Sequence, residues 1–372
     1  MPFDSNDTIK HLLSLQERLG ITRIADLTRL DRLGIHVISC IRPRAKHLSL
    51  SQGKGLNREQ AIISAMMEAV EIYHFENPPR SDFSGSYQSL QSNHHLLSPS
   101  CAERSDFDGA DLETVHFDWI KATNLLNQET VYLPQVLSKL DSSIPQPHDA
   151  FFRVSTNGLA AGMTMDHAIC HSLCEIIERD SLSIWQKIDH QEKSKTLLDQ
   201  SSINIPALDP FFQQAAHEHI EIQLWEITSP LGLPAFHCTV LDASLGGLGI
   251  SSGTGAHYDK TEALLRAVTE AAQDRLTLIT GNRDDLLPLY YQQQKTLPND
   301  FAAHKGKKDF KDCRSLLPAN TPKEEVINTL LERISHTCDQ VLMVDHSKSD
   351  IGIPAVHILI PGMQMSVWET ES

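Results

Sequence analysis

Five glutamates lie on three segments at spacings that could gather a metal ion. Glu68 and Glu71 end the stretch from Ala61, Glu175 and Glu178 the stretch from Ala168, and Glu270 and Gln273 the stretch from Ala263. Each segment has Ala seven residues before its first Glu and an acid or amide three residues after it. On a helix, residues i and i+3 project from one face, so each pair can aim at one point. Their neighbours are apolar: Met66, Met67, Ala69 and Val70, then Leu173, Cys174, Ile176 and Ile177. Carboxylates near a core must meet cations or metals, or take up protons. Several pairs converging would make an oxygen cage suited to Mg2+, which in turn holds nucleotide phosphates. A single Glu-x-x-Glu reads as a solvated helix face; the repetition is what carries the metal reading.

Other groups compete for the same helices. His167, His171 and Glu175 follow one another at four-residue spacing, which could align zinc ligands. That run lacks the adjacent Glu of a His-Glu-x-x-His site, and the acidic repeat accounts for the helix better. His171 either lines the nucleotide pocket or satisfies a local hydrogen bond. Cys170 and Cys174 share a helix face and read as buried thiols, because no activating cation is fixed by the sequence. Arg179 either binds phosphate or pairs with Glu175 or Asp180.

The elements that must position these residues alternate. Apolar spacing predicts a helix over 9–19 and a second short periodic stretch over 24–30, then a strand over 34–41. A glycine turn over 51–55 precedes a long helix over 58–75. Residues 77–104 read as loop, with room for one short helix. Strand candidates follow at 119–125 and 130–134, and a glycine-containing approach over 157–162 leads into a helix over 166–186. Strands over 220–226 and 235–242 lead into the glycine-dense run 245–255 and a helix over 261–278. A helix over 324–334 and strands over 340–344 and 355–360 close the chain. The fold class is α+β, a mixed α/β arrangement with strand order open. The expected organisation is a helical segment at 1–34, a nucleotide-binding core at 35–291, a polar loop or lid at 292–322, and a segment at 323–372 that completes the same domain.

Composition bounds the partners. The chain has 372 residues, with 32 Lys and Arg against 48 Asp and Glu, a formal charge of −16. That length supports a substantial core without disulfides or structural zinc. The charge argues against a protein that coats nucleic acid or an acidic membrane. No apolar run reaches the length of a spanning helix, and the polar start lacks a secretory core, so a cytoplasmic location is expected. Seven scattered Cys fit reduced thiols.

With these residues in hand, the sequence resembles the YcaO family. The first nucleotide motif of that family is similar to Ser64, Glu68 and Glu71, the second to Glu175, Glu178, Arg179 and Asp180 after Asn157–Gly162, and the third to Arg266 and Glu270 with Gln273 and Arg275 beyond. Gly53-Lys54-Gly55 resembles the loop before the first motif. The similarity covers most of residues 35–285. It implies Mg2+ and ATP as cofactors, used to activate a peptide backbone amide. It implies Glu68, Glu71, Glu175, Glu178 and Glu270 around Mg2+, with Lys54, Ser64, Arg179 and Arg266 contacting phosphate or ordering the pocket. Ile72 replaces the Arg usual after the first Glu-x-x-Glu, and Arg266 stands where many members carry Gln.

Residues 341–345, 350–354 and 360–362 resemble the branch associated with TfuA partners, and the end, Met365–Ser372, lacks the proline-rich tail of azoline-forming members. The resemblance therefore implies a peptide or protein substrate, thioamide formation with a TfuA-like partner, and homodimerisation. The alternatives are an azoline-forming cyclodehydratase and a nucleotide-binding scaffold without chemistry.

Overall fold

The computed structural model describes residues 5–101, 111–143, 151–152, 154–283, 291 and 306–363. The chain opens with α1 (Ser5–Ser14) and α2 (Gln16–Leu19), then builds an antiparallel sheet from β1 (Arg23–Asp26), β2 (His36–Ile41) and β3 (Leu50–Gly55) in that order. α3 (Arg58–Glu76) lies across β3 and β2. A second sheet is formed after β4 (Phe83–Ser86), α4 (Tyr87–Leu90), β5 (His116–Asn124), β6 (Thr130–Pro134) and β7 (Leu159–Ala161). It closes only with the last two strands, β11 (Leu342–Asp345) and β12 (Ala355–Leu359), in the order β4-β5-β11-β12-β7, with β6 on β5.

Between these pieces run α5 (Met165–Lys187), α6 (His190–Thr196) and α7 (Asp209–His217). The third sheet, β8 (Glu221–Glu226), β9 (Ala235–Leu241) and β10 (Ile250–Ala256), follows with α8 (Lys260–Thr280) against it. The helix α9 (Lys323–Ser335) packs on α5. Among the described residues no helix is long and apolar enough to cross a membrane.

The three long helices begin on side-chain caps. Asn57 accepts from the Gln60 amide, Thr164 from that of His167, and Asp259 from those of Thr261 and Glu262. These bonds satisfy amides that a helix start leaves open. Each helix then touches the strand before it, backbone to backbone. A Cβ on Gly53 would stand 1.9 Å from the Ala65 nitrogen, one on Gly255 2.4 Å from the Ala263 oxygen, and one on Gly162 2.5 Å from the Ala168 nitrogen. Glycine in the strand, or directly after it at Gly162, leaves the room for that approach.

Several sequence expectations are corrected by this packing. Residues 51–55 form the strand β3, not a turn, and the glycine-dense run ends in the strand β10. There the glycines serve close approach rather than reversal. The periodic stretch 24–30 divides into β1 and a 3-10 turn at Thr28–Leu30, because pairing with β2 overrides helical spacing. The strand β4 and the helix α7 lie where none was expected. Of the polar stretch 292–322, residues 292–305 lie outside the described residues, as does the tail 365–372. From Gly306 the chain is held against the core: Phe310 is buried, and the amides of Leu316 and Leu317 donate to the Tyr258 carbonyl.

Candidate functional site

The close strand–helix contacts set where the glutamates emerge. Glu68 follows Ala65 by three residues, and Glu270 follows Ala267 by three; Glu175 follows Ala168 by seven. The structure brings all five acids of the three helices within electrostatic reach of one another. Glu68 feels Glu270, Glu71 feels Glu68 and Glu175, and Glu175 and Glu178 both feel Glu270.

One cation links four of them. Lys54 Nζ is 2.7 Å from Glu270 Oε2 and also acts on Glu68, Glu71 and Glu175. Lys54 reaches this point because β3 runs alongside α3 and touches α8. Arg179 Nη2 lies 3.8 Å from Glu175 Oε1 and acts on Glu178 and Glu270 as well.

The other acids rest on neutral donors. The Ala161 amide donates to Glu71 Oε1 at 3.0 Å. Glu178 accepts from Thr254 Oγ1 at 2.8 Å and from the Ala256 amide at 2.7 Å. The Gln52 backbone adds a bond to Glu68. Burial pushes the carboxyls of Glu68 and Glu175 up to about 7, against the pull of Lys54 on the first and Arg179 on the second. Burial also raises Glu178, and raises Glu71 well above the usual range. For Glu270 burial pushes upward too, but Lys54 and Arg179 outweigh it and hold its carboxyl low.

Most of the expected residues join this cluster, and one does not. His171, one turn before Glu175, keeps an exposed edge yet is crowded by protein, with Nδ1 3.5 Å from Arg266 Nη1; that crowding and the Arg266 charge push it low, so its ring is neutral. Ser64 occupies the corresponding half-buried place on α3, one turn before Glu68. Gln273 Nε2 donates to the Gln52 carbonyl at 3.4 Å, while its Oε1 is buried without a partner. Arg275 turns away. Its Nε binds Asp31 Oδ1 at 2.8 Å and its Nη2 binds Asp242 Oδ2 at 2.7 Å, in a buried triad that ties α8 to the first sheet's connection. Five residues beyond Glu270 it leaves the acid face, so it is a strut rather than a phosphate contact. Cys170 and Cys174 are buried, as expected.

Sequence reasoning missed Thr254, Gln52 and the amides of Ala161 and Ala256. Gln52 and Ala161 fell within runs read as a glycine turn and a glycine-containing approach, and Thr254 and Ala256 in or just after the glycine-dense run, so no side-chain signal marked them. Among the described residues no three His, Cys, Asp or Glu side chains stand together at metal-holding distance. Lys54, Arg179, Thr254 and the backbone amides engage the carboxylates in this arrangement. The donor set nevertheless fits a hard cation. It is all oxygen, it carries five carboxylates against the cations Lys54, Arg179 and Arg283, and burial pushes all five upward, with a net rise in four.

Over residues 52–364 the sequence matches the YcaO family, described as an ATP- and Mg2+-binding cyclodehydratase. The chain belongs to the YcaO family. It is a YcaO-type ATP- and Mg2+-dependent catalytic domain, and the match reaches past the repeated helices to include α9, β11 and β12. This YcaO chain is 28% identical over 368 residues to an uncharacterized protein from the tfuA 3′ region of Rhizobium leguminosarum bv. trifolii, covering 94% of this chain and 84% of that one.

Two solved structures share its fold. A YcaO from Methanopyrus kandleri bound with AMPPCP and Mg2+ superposes with a TM-score of 0.75 at 22% identity, over 98% of this chain and 92% of that one. A heterocyclase in complex with substrate and cofactor gives 0.70 at 23%, over 96% of this chain and 52% of that one. The YcaO chain thus spans about half the length of that heterocyclase.

Proposed function

We propose that this chain uses ATP and Mg2+ to activate a backbone amide of a peptide or protein substrate. The observation that carries the reading is the gathering of five carboxylates from α3, α5 and α8 about Lys54 and Arg179. Glu68, Glu71, Glu175, Glu178 and Glu270 would hold Mg2+, and Lys54, Ser64, His171, Arg179, Arg266 and Gln273 would face the nucleotide. Bound MgATP supplies the phosphoryl group that makes a poor amide oxygen a leaving group. The protein's part is placement: the helices fix the acids, and the apolar residues around them keep bulk water from the back of the site.

The family description as a cyclodehydratase supports ring closure by an adjacent Cys, Ser or Thr of the substrate, and supports it better than thioamide formation. Thioamide formation with a TfuA-like partner stands second, favoured by the relative from the tfuA 3′ region and by the C-terminal segment. Mass spectrometry of candidate peptides incubated with ATP, with and without sulfide and partner, separates the two. Loss of one water marks ring closure; exchange of one oxygen for sulfur marks the thioamide. Nucleotide binding with no peptide-dependent ADP release, every partner supplied, would leave only a scaffold.

A pH dependence follows from the carboxyls pushed up to about 7, Glu68 and Glu175. Below that value both hold protons that a metal must displace. Mg2+ affinity is therefore expected to rise as pH climbs from 6 to 8 and to flatten above, with proton release near neutral pH. Titration calorimetry in buffers of different ionisation enthalpy reads that release. An affinity flat across this range would remove these two acids from the metal site.

A further inference from the structure

One turn before their first glutamates, the three helices carry Ser64, His171 and Arg266. Residues from outside the repeat join this register. Lys323, the first residue of α9, donates to the Tyr258 hydroxyl at 2.8 Å and stands 4.6 Å from the centre of that ring. The Tyr258 ring lies 3.9 Å from that of His257. Arg266 and Lys323 both act electrostatically on His171, His257 and Cys170. The segment after β10 and the starts of α5, α8 and α9 therefore lie within electrostatic reach of one another, one turn along α5 and α8 from Glu175 and Glu270.

The charge at this spot is unbalanced. Lys54 and Arg179 have carboxylate partners. Among the described residues Arg266 and Lys323 form no ion pair with a carboxylate, and both are half-buried. Their direct contacts are neutral: the Tyr258 hydroxyl and ring for Lys323, and the His171 ring for Arg266. The carboxylate that acts here, Asp166, reaches Cys170 and His167 but pairs with neither cation. In a chain of charge −16, two half-buried cations turned towards neutral rings are a local reversal. Burying a cation without a counter-charge is costly, and an oxyanion offsets the cost. His257 adds a directed donor. Its Nδ1 accepts from the Asp259 amide at 3.1 Å, so the neutral ring carries its proton on Nε2.

We infer that Lys323, Arg266 and His257 line a phosphate subsite one helical turn from Glu175 and Glu270, where inorganic phosphate is held while ADP is still bound. The inference rests on the proposed ATP-dependent function and assigns that site a residue from α9. A tetrahedral oxyanion suits it, because the donors come from separate elements and not from one planar fork.

The test is binding of radiolabelled inorganic phosphate, by equilibrium dialysis, to the full-length chain saturated with MgADP. Lys323→Gln is expected to weaken phosphate binding about tenfold, as loss of one charge-assisted hydrogen bond does. Tyr258→Phe keeps the cation and removes only its hydroxyl partner, so it should retain phosphate. Equal phosphate affinity in Lys323→Gln and the unaltered chain would overturn the subsite. So would an equal loss in Tyr258→Phe, which would make Lys323 a structural strut. An unaltered chain that binds MgADP but no phosphate sinks the subsite alone, whereas failure to bind MgADP at all sinks the function beneath it.

Discussion

Replacing Glu175 with Gln is expected to weaken Mg·AMPPCP binding by at least about tenfold while leaving the fold intact. The two halves of this expectation have one cause. Burial holds the Glu175 carboxyl at about 7, and nearby Glu178 and Glu270 add to that push. Its negative charge is therefore uncomfortable in the protein alone and useful only to a cation. An amide keeps the shape and removes the charge, so the protein loses the ligand without losing packing. What is given up is the Arg179 contact, long at 3.8 Å, and the more distant pull of Lys54.

Glu178→Gln should behave differently. Its two oxygens accept from Thr254 Oγ1 and the Ala256 amide, so an amide nitrogen would face a donor, and stability should fall with affinity. Calorimetric titration with Mg·AMPPCP and urea unfolding of both variants make the comparison. If Glu175→Gln binds as the unaltered chain does, Glu175 is no ligand. If it unfolds as readily as Glu178→Gln, the carboxylate is structural.

The acids were legible because their signal is local. Three-residue spacing on apolar helices is visible within a dozen residues, and Glu68, Glu71, Glu175, Glu178 and Glu270 do come within electrostatic reach of one another. Their partners were less so. Lys54 stood out only through the resemblance of its Gly-Lys-Gly setting, since the acid it pairs with lies 216 positions away. Lys323 lies outside every motif, and its place beside His257 comes from α9 packing on α5. Arg275 misled for the opposite reason. It follows the third motif closely, yet Asp31, 244 positions away, and Asp242 claim it. The strands β3 and β10 were hidden by glycine, which marks both a turn and a close approach; only the opposing helix tells which.

That ambiguity makes the second prediction sharp. Gly53→Ala is expected to destabilise the protein by about 3 kcal/mol or more, at the upper end for an overpacked core. The added methyl would sit 1.9 Å from the Ala65 nitrogen, 2.4 Å from the Ala61 oxygen and 2.6 Å from the Ala65 Cα. All three are backbone atoms, so no rotamer change can make room, and α3 must lift off β3. Lifting α3 moves Glu68 and Glu71 away from Lys54, so Mg·AMPPCP binding should fall even in molecules that stay folded. Gly352→Ala provides the contrast. Its Cβ would meet nothing within 4 Å, and its φ of +71° is the only obstacle, a cost of about 1 kcal/mol. Were Gly53 a turn glycine, the two variants would melt alike in urea. A large loss at Gly53 with a small one at Gly352 identifies strand–helix contact as what holds the carboxylates in place.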